Sequence, residues 1–282
     1  MAPGLAKPRY ELECEVIFMS SKSEGGEYWD EVALRWDAAD PTHLWREHCD
    51  DLHDALLRKW LRPGPGRHLK TDLFDESLAT GLLPRLSTQV EDLFGIDLSL
   101  RTARRASRQP QLRNLCACDV RNLPFDSDVF HSVLSNSTLD HFGSKAEIMR
   151  SLEEIWRVLA PGGELILTLD NLTNPIIRLR HKLPFRLLER LSIVPYYVGE
   201  TFRVDEAKSV LASLGFEIVD VTTFMHFPRF FSILISARLE KSRRRDGWLR
   251  MLNAFERLGR WPTRFWTGHY FAIRARKLTG DQ

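Results

Sequence analysis

The run His68-Leu-Lys-Thr-Asp-Leu-Phe-Asp-Glu-Ser77, with Val90-Glu-Asp-Leu-Phe-Gly-Ile-Asp-Leu-Ser99 after it, contains two short apolar segments that each end on a carboxylate, Asp72 and Asp97. Residues 77–86 between them read as helical, so the local pattern is strand, helix, strand. Outward from there the alternation continues. Strand-like segments cover His68–Leu73, Val90–Asp97, Leu112–Cys118, Val129–Ser135, Glu164–Asp170, Phe216–Thr223 and Tyr270–Lys277, and helical ones cover 77–86, 100–107, 145–159 and 205–214. Ala160-Pro-Gly-Gly163 and Gly215 end the last two helices. Parallel strands need crossover helices, so this order predicts an α/β fold with a doubly wound, seven-stranded, mostly parallel sheet.

Upstream, Trp29, Val32, Trp36, Leu44, Trp45, Leu52, Leu56 and Trp60 recur at helical spacing, interrupted around Asp40-Pro41. They predict a helical cap. Arg62-Pro-Gly-Pro-Gly66 cannot continue a helix and reads as a loop. The expected division is therefore an N-terminal segment and cap over 1–61 and a main domain over 62–282, with insertions at about 174–201 and 227–266.

The chain has 282 residues, 43% hydrophobic and 28% charged, which suits one large core. No stretch near the start combines basic residues, an apolar run and a cleavage site, so a cytoplasmic location is expected. The apolar run Phe230 to Ala237 is far short of the ~20 residues that span a bilayer. Cys14, Cys49, Cys116 and Cys118 show neither a disulfide framework nor paired zinc spacing and read as reduced thiols, with no metal site. Net charge is only +2, but residues 229–282 carry 13 Lys/Arg against 4 Asp/Glu, so the tail is basic and the body acidic.

In an open parallel sheet, ligands sit beyond the carboxyl ends of the strands, where the strand order reverses. Three successive strand ends here present acids, at Asp72, Asp97 and Cys118-Asp-Val-Arg121. A carboxylate such as Asp97 can accept both ribose hydroxyls of an adenosine. A dinucleotide also needs a glycine-rich first turn for its pyrophosphate, and this chain has Phe74-Asp-Glu-Ser77 there. Acids beside a pyrophosphate repel it, whereas they suit a cationic adenosine cofactor, whose carboxylate Lys70 could meet from the same strand face as Asp72.

Asp72 with its turn, Gly95-Ile-Asp97, Cys118-Asp-Val120, Leu123-Pro-Phe-Asp126, Leu134-Ser-Asn-Ser-Thr-Leu-Asp-His141 and Arg157-Val-Leu-Ala-Pro-Gly-Gly-Glu164 resemble, in order and spacing, the motifs of class I S-adenosylmethionine (SAM)-dependent methyltransferases. The likeness covers about residues 67–225 and departs from the family in lacking the glycine-rich turn. It implies SAM as cofactor, S-adenosylhomocysteine as product and a small-molecule acceptor. It also implies Asp72 under the methionine end, Asp97 at the ribose, Asp119 and Val120 at the adenine with Cys118 packed nearby, and Asn136 facing the methionine portion. Lys70, Thr71, Leu73, Phe74 and Leu98 complete the implied cofactor set.

For the acceptor, His141 follows the fourth strand and is either a solvated loop histidine or a general base. Glu200 and His226 are weaker candidates. Tyr196 and Tyr197, in the insertion from Asn174 to Thr201, either line a lid over the acceptor or fill a packing corner. Trp29, Trp36, Tyr196, Tyr197, Phe227 and Phe230 suggest a ring-bearing or lipophilic acceptor. Trp248, Leu252, Phe255 and Leu258 define a basic amphipathic helix that packs on its own domain or lies on an anionic membrane. The basic tail also raises nucleic acid as acceptor, against the absence of an Asn/Asp-Pro-Pro-Tyr/Phe motif at Asn136-Ser-Thr-Leu139. A SAM-fold scaffold without catalysis is the reading from another class.

Overall fold

A computed structural model describes residues 25–38, 43–62, 64–78, 81–86, 90–191, 193–194 and 196–279. Seven strands, β1 (Gly64–Lys70), β2 (Val90–Asp97), β3 (Asn114–Ala117), β4 (Phe130–Asn136), β5 (Leu159–Asp170), β6 (Phe216–Phe224) and β7 (Tyr270–Lys277), form one sheet in the order β3-β2-β1-β4-β5-β7-β6. Only β7 runs antiparallel to its neighbours. The order reverses between β1 and β4, which puts the crevice of a doubly wound sheet at their carboxyl ends. Because helices cover both faces, β5, beside the central strand β4, is buried on both sides: its Leu165, Ile166, Leu167 and Leu169 are all fully buried.

The helices, in chain order, are α1 (Gly26–Ala38), α2 (His43–Trp60), α3 (Phe74–Ser77), α4 (Leu83–Leu86), α5 (Leu100–Ala106), α6 (Lys145–Val158), α7 (Pro175–His181), α8 (Phe185–Arg190), α9 (Val204–Ser213), α10 (Arg229–Leu239), α11 (Arg245–Phe255) and α12 (Arg264–Thr267). The break expected around Asp40-Pro41 lies outside the described residues. Ser99 and Ser144 start α5 and α6 by accepting from the backbone N–H three residues on, at 3.0 and 3.3 Å.

Three local expectations are corrected. First, the opening strand spans Gly64–Lys70 and not His68–Leu73. Residues predicted as loop enter the sheet through an irregular step between Gly64 and Arg67, with Gly66 at φ +133. At the other end the Asp97 carboxylate accepts from Leu73 N–H at 2.9 Å, replacing a ladder bond and peeling the chain away. Second, the helix expected over 77–86 is two single turns, α3 and α4. Glu76, fully buried, accepts from Leu82 and Leu83 N–H at 2.9 and 3.0 Å, so a side chain starts α4. Third, Leu159 already pairs with Phe130, while Ala160-Pro-Gly-Gly163 bulges out with Gly162 at φ +77.

The cap and the late insertion are built together: α1 packs on α5, and α2 on α10 and α11. Trp248 and Leu252 bury the apolar side of α11 against Leu44 of α2, so that helix packs on its own protein. Among the described residues no helix is long and apolar enough to cross a membrane.

Candidate active site

One cavity of about 600 Å³ opens at the carboxyl ends of β1, β2 and β4. Most of the sequence-predicted residues line it: Thr71, Asp72, Phe74, Asp97, Leu98, Cys118, Asp119, Val120, Asn136, His141, Tyr196 and Tyr197. Lys70 and Leu73 do not. The Lys70 ammonium lies behind the wall, 3.1 Å from the Asp72 carboxylate and 3.0 Å from Glu76, and donates to the Asp72 carbonyl at 2.7 Å. Its charge is spent on holding the acidic turn, so the expected contact with a cofactor carboxylate is corrected. Glu76 likewise faces inward, and the acids that the turn offers to the cavity are Asp72 and Asp75.

Asp97 is the most constrained acid on this wall. One oxygen accepts from Leu73 N–H and the other from Ser99 N–H, at 2.9 and 2.8 Å. Burial pushes its carboxyl up to about 7 despite those two bonds. Asn136 ends β4 with a buried Oδ1 that has no partner among the described residues, an acceptor in want of a donor. Next to it Ser137 holds φ +50, and Met225 across the cavity holds φ +62; two left-handed non-glycine residues in one lining mark a place where the fold tolerates strain. Asp119 has its carboxylate gripped by Arg121 at 2.6 Å, and burial with the neighbouring Cys116 keeps the Cys118 thiol protonated.

The far wall is aromatic. Trp29 of α1 stacks edge-on with His141 at 5.0 Å, and Tyr196 meets both rings, at 5.9 Å and 5.3 Å. Tyr197 N–H donates to the Tyr28 hydroxyl at 2.8 Å, tying the insertion to the cap. Gly199 and Glu200 N–H donate to the carbonyls of Asp140 and Phe142 at 2.7 Å each, closing the insertion over the 139–141 turn. A Cβ on Gly199 would fall 1.9 Å from the Phe142 oxygen, which is why glycine is needed there. His141 Nδ1 lies 3.0 Å from the Tyr197 carbonyl. A carbonyl only accepts, so Nδ1 carries the hydrogen; in the neutral ring the lone pair is then on Nε2, 4.0 Å from the Asp140 carboxylate.

Some expected residues lie elsewhere. Phe227 packs on Trp248 and Phe255, and Phe230 is 43% exposed on α10, so neither ring lines the cavity. Glu200 and His226 are outside it as well. The side chain of Trp36, and Cys14, fall outside the described residues. Conversely, sequence reasoning missed Arg46, Cys49 and His53, which line the cavity from α2, and Arg229 and Tyr270. The first three are spaced three and four apart, so they share one helix face; this polar stripe beside the apolar one was the available signal.

A cationic adenosine cofactor suits these groups. Asp97 has free lone pairs for vicinal hydroxyls, Asn136 Oδ1 needs a donor, and the acids of the turn, Asp72, Asp75 and Glu76, outnumber the cations paired with them, Lys70 and Arg46. Sheet order and strand-end acids together are those of the class I SAM-dependent methyltransferase fold. Residues 77–167, about a third of the chain, match the family described as Methyltransferase domain. The chain is 30% identical over 157 residues to 2-phytyl-1,4-naphtoquinone methyltransferase of Nostoc punctiforme, covering 53% of this chain and 56% of that one. It is 42% identical over 50 residues to Probable tRNA methyltransferase 9B of Mus musculus, 18% of this chain and 11% of the relative. The matched stretches thus span about half of one curated relative and about a tenth of the other. A SAM-dependent methyltransferase from Thermotoga maritima shares the fold with a TM-score of 0.58 at 16% identity, over 89% of this chain and 99% of that one.

Proposed function

We propose that the protein transfers a methyl group from S-adenosylmethionine to an oxygen, nitrogen or carbon nucleophile of a small aromatic or lipophilic molecule. A single observation carries the reading: the same cavity is acidic along the strand ends and aromatic under the cap and insertion, so a cationic donor and an apolar acceptor can meet inside it. When bound, the cofactor supplies an electrophilic methyl on sulfur. The residues of the chain bind and orient. Asp97 accepts from the ribose hydroxyls, Asn136 Oδ1 accepts from the ammonium, and Cys118, Asp119 and Val120 flank the adenine.

Trp29, Tyr196 and Tyr197 enclose the acceptor and exclude water, which aligns nucleophile and methyl and accounts for much of the rate. In the neutral ring whose Nδ1 donates to Tyr197, His141 Nε2 is the acceptor that takes the proton of a hydroxyl or amine as it attacks. The similarity to the Nostoc 2-phytyl-1,4-naphtoquinone methyltransferase supports an acceptor of this kind.

Radiolabelled SAM offered with phenolic, amine and lipid pools tests the proposal, the expected result being label in a small apolar product. The basic tail and the name of the mouse relative favour nucleic acid instead; label in RNA, with binding that weakens steeply with salt, would replace the small-molecule reading. Cofactor binding without turnover on any pool would replace it with a scaffold role.

A further inference from the structure

Three arginines line the cavity, and two are neutralised: Arg46 by Asp75 at 2.8 Å and Arg121 by Asp119 at 2.6 Å. Arg229 is different. Its Nη1 donates to the Tyr270 hydroxyl at 3.0 Å and its guanidinium also bonds the Tyr196 side chain, but no carboxylate among the described residues lies within ion-pair distance. The Asp50 carboxyl on the same wall is influenced by Arg85 and Arg46 rather than by Arg229. Arg229 is moreover the first residue of α10, an eleven-residue helix whose N-cap, Pro228, offers no side-chain bond. A cation there meets the positive end of the helix dipole, so its position adds positive charge to positive charge.

The surroundings are built to donate. The Tyr270 oxygen accepts from Arg229, so its own hydrogen is left for another acceptor, and none is found among the described residues. Arg229 lines the cavity, and its five N–H donors outnumber the bonds to the two tyrosines. His53 lies alongside, in ring contact with Phe224 at 5.2 Å, and Phe224 in turn with Tyr270 at 5.6 Å.

Resting on the reading of this chamber as the acceptor site, we propose that Arg229 and Tyr270 form an anion subsite that holds a carboxylate or phosphate group of the acceptor. The acceptor is then an amphiphile: an apolar or aromatic body against Trp29, Trp45 and Tyr196, and an anionic group on Arg229. A planar guanidinium offers paired N–H donors to either oxyanion, and a charge-assisted bond in a partly dry chamber is stronger than a neutral one.

The test titrates the protein, with and without S-adenosylhomocysteine, with benzoate, phenyl phosphate and uncharged benzyl alcohol, following tryptophan fluorescence, to which Trp29 and Trp45 of the cavity contribute. At least one anionic probe should bind on the order of tenfold to a hundredfold more tightly than the alcohol. R229Q should erase that preference and R229K should keep part of it, with S-adenosylhomocysteine affinity in both variants within about twofold of the native value. Preference for benzoate would assign a carboxylate, and preference for phenyl phosphate a phosphate. Equal affinity for charged and neutral probes, no binding of either anion, or a preference that survives R229Q would overturn the subsite. Failure of S-adenosylhomocysteine to bind the native protein, with the probe preference intact, would count against the cofactor reading alone.

Discussion

The two walls of the cavity are made in opposite ways. The acidic wall comes from the ends of neighbouring parallel strands, where short turns are pinned by local bonds: Asp97 to Leu73 and Ser99, and Lys70 to Asp72 and Glu76. The aromatic wall is assembled from pieces far apart in the chain, with Tyr28 of α1 bonded to Tyr197, Leu44 N–H of α2 donating to Glu240 at 3.0 Å after α10, and Arg245 of α11 paired with Glu47. The sheet fixes the first wall as a consequence of folding at all. The second depends on insertions docking, so it can change its lining without disturbing the cofactor side.

If so, damage to the two walls should separate. The largest effect should come from K70M. Lys70 is 1% exposed, and removing it leaves the Glu76 carboxylate, whose pKa burial already raises, without its cation. A loss of about 3–5 kcal/mol is expected by urea denaturation, together with loss of cofactor binding. H141A should lower kcat about a hundredfold, ~2.7 kcal/mol, and leave S-adenosylhomocysteine affinity unchanged, as read by single-turnover assay and calorimetry. G199A should destabilise by about 1–3 kcal/mol because its Cβ collides with the Phe142 carbonyl. Its damage should appear in acceptor KM, and equal damage to cofactor affinity would show that the walls are coupled.

The smallest effect is a pH dependence. With the Asp97 carboxyl pushed up to about 7 by burial, the carboxylate that accepts ribose hydroxyls is lost as pH falls through 7. S-adenosylhomocysteine affinity should then weaken by up to about tenfold per pH unit below 7, and D97N should flatten the profile. For this group alone, the folded apo protein binds more protons than the unfolded chain between the ordinary carboxylate range and 7. Lowering pH across that window therefore stabilises the apo fold while weakening the complex.

The acidic wall was legible in the sequence because strand order and a carboxylate at each strand end are local patterns. β2 and β7 begin and end where predicted. Lys70 shows the limit: its register in the strand was visible, but not that Glu76, six residues on, would turn inward to claim it. The aromatic wall was legible only in part. Tyr196 and Tyr197 stood out as a pair, and His141 as a strand-end residue. Arg229 could not be found, because its significance is that no carboxylate among the described residues pairs with it, and that is visible only once distant segments have docked. Phe227 and Phe230 were misplaced for the same reason: aromatic residues near a site are as ready to fill a helix interface as a pocket.

The central claim is that the strand-end acids hold a SAM-type cofactor, and calorimetry with S-adenosylhomocysteine on the native protein and D97A tests it most directly. The account predicts micromolar binding by the native chain and at least about a hundredfold loss in D97A, the substitution removing an acceptor of two ribose hydroxyls. Binding of equal strength in both, or none in the native protein, would contradict it.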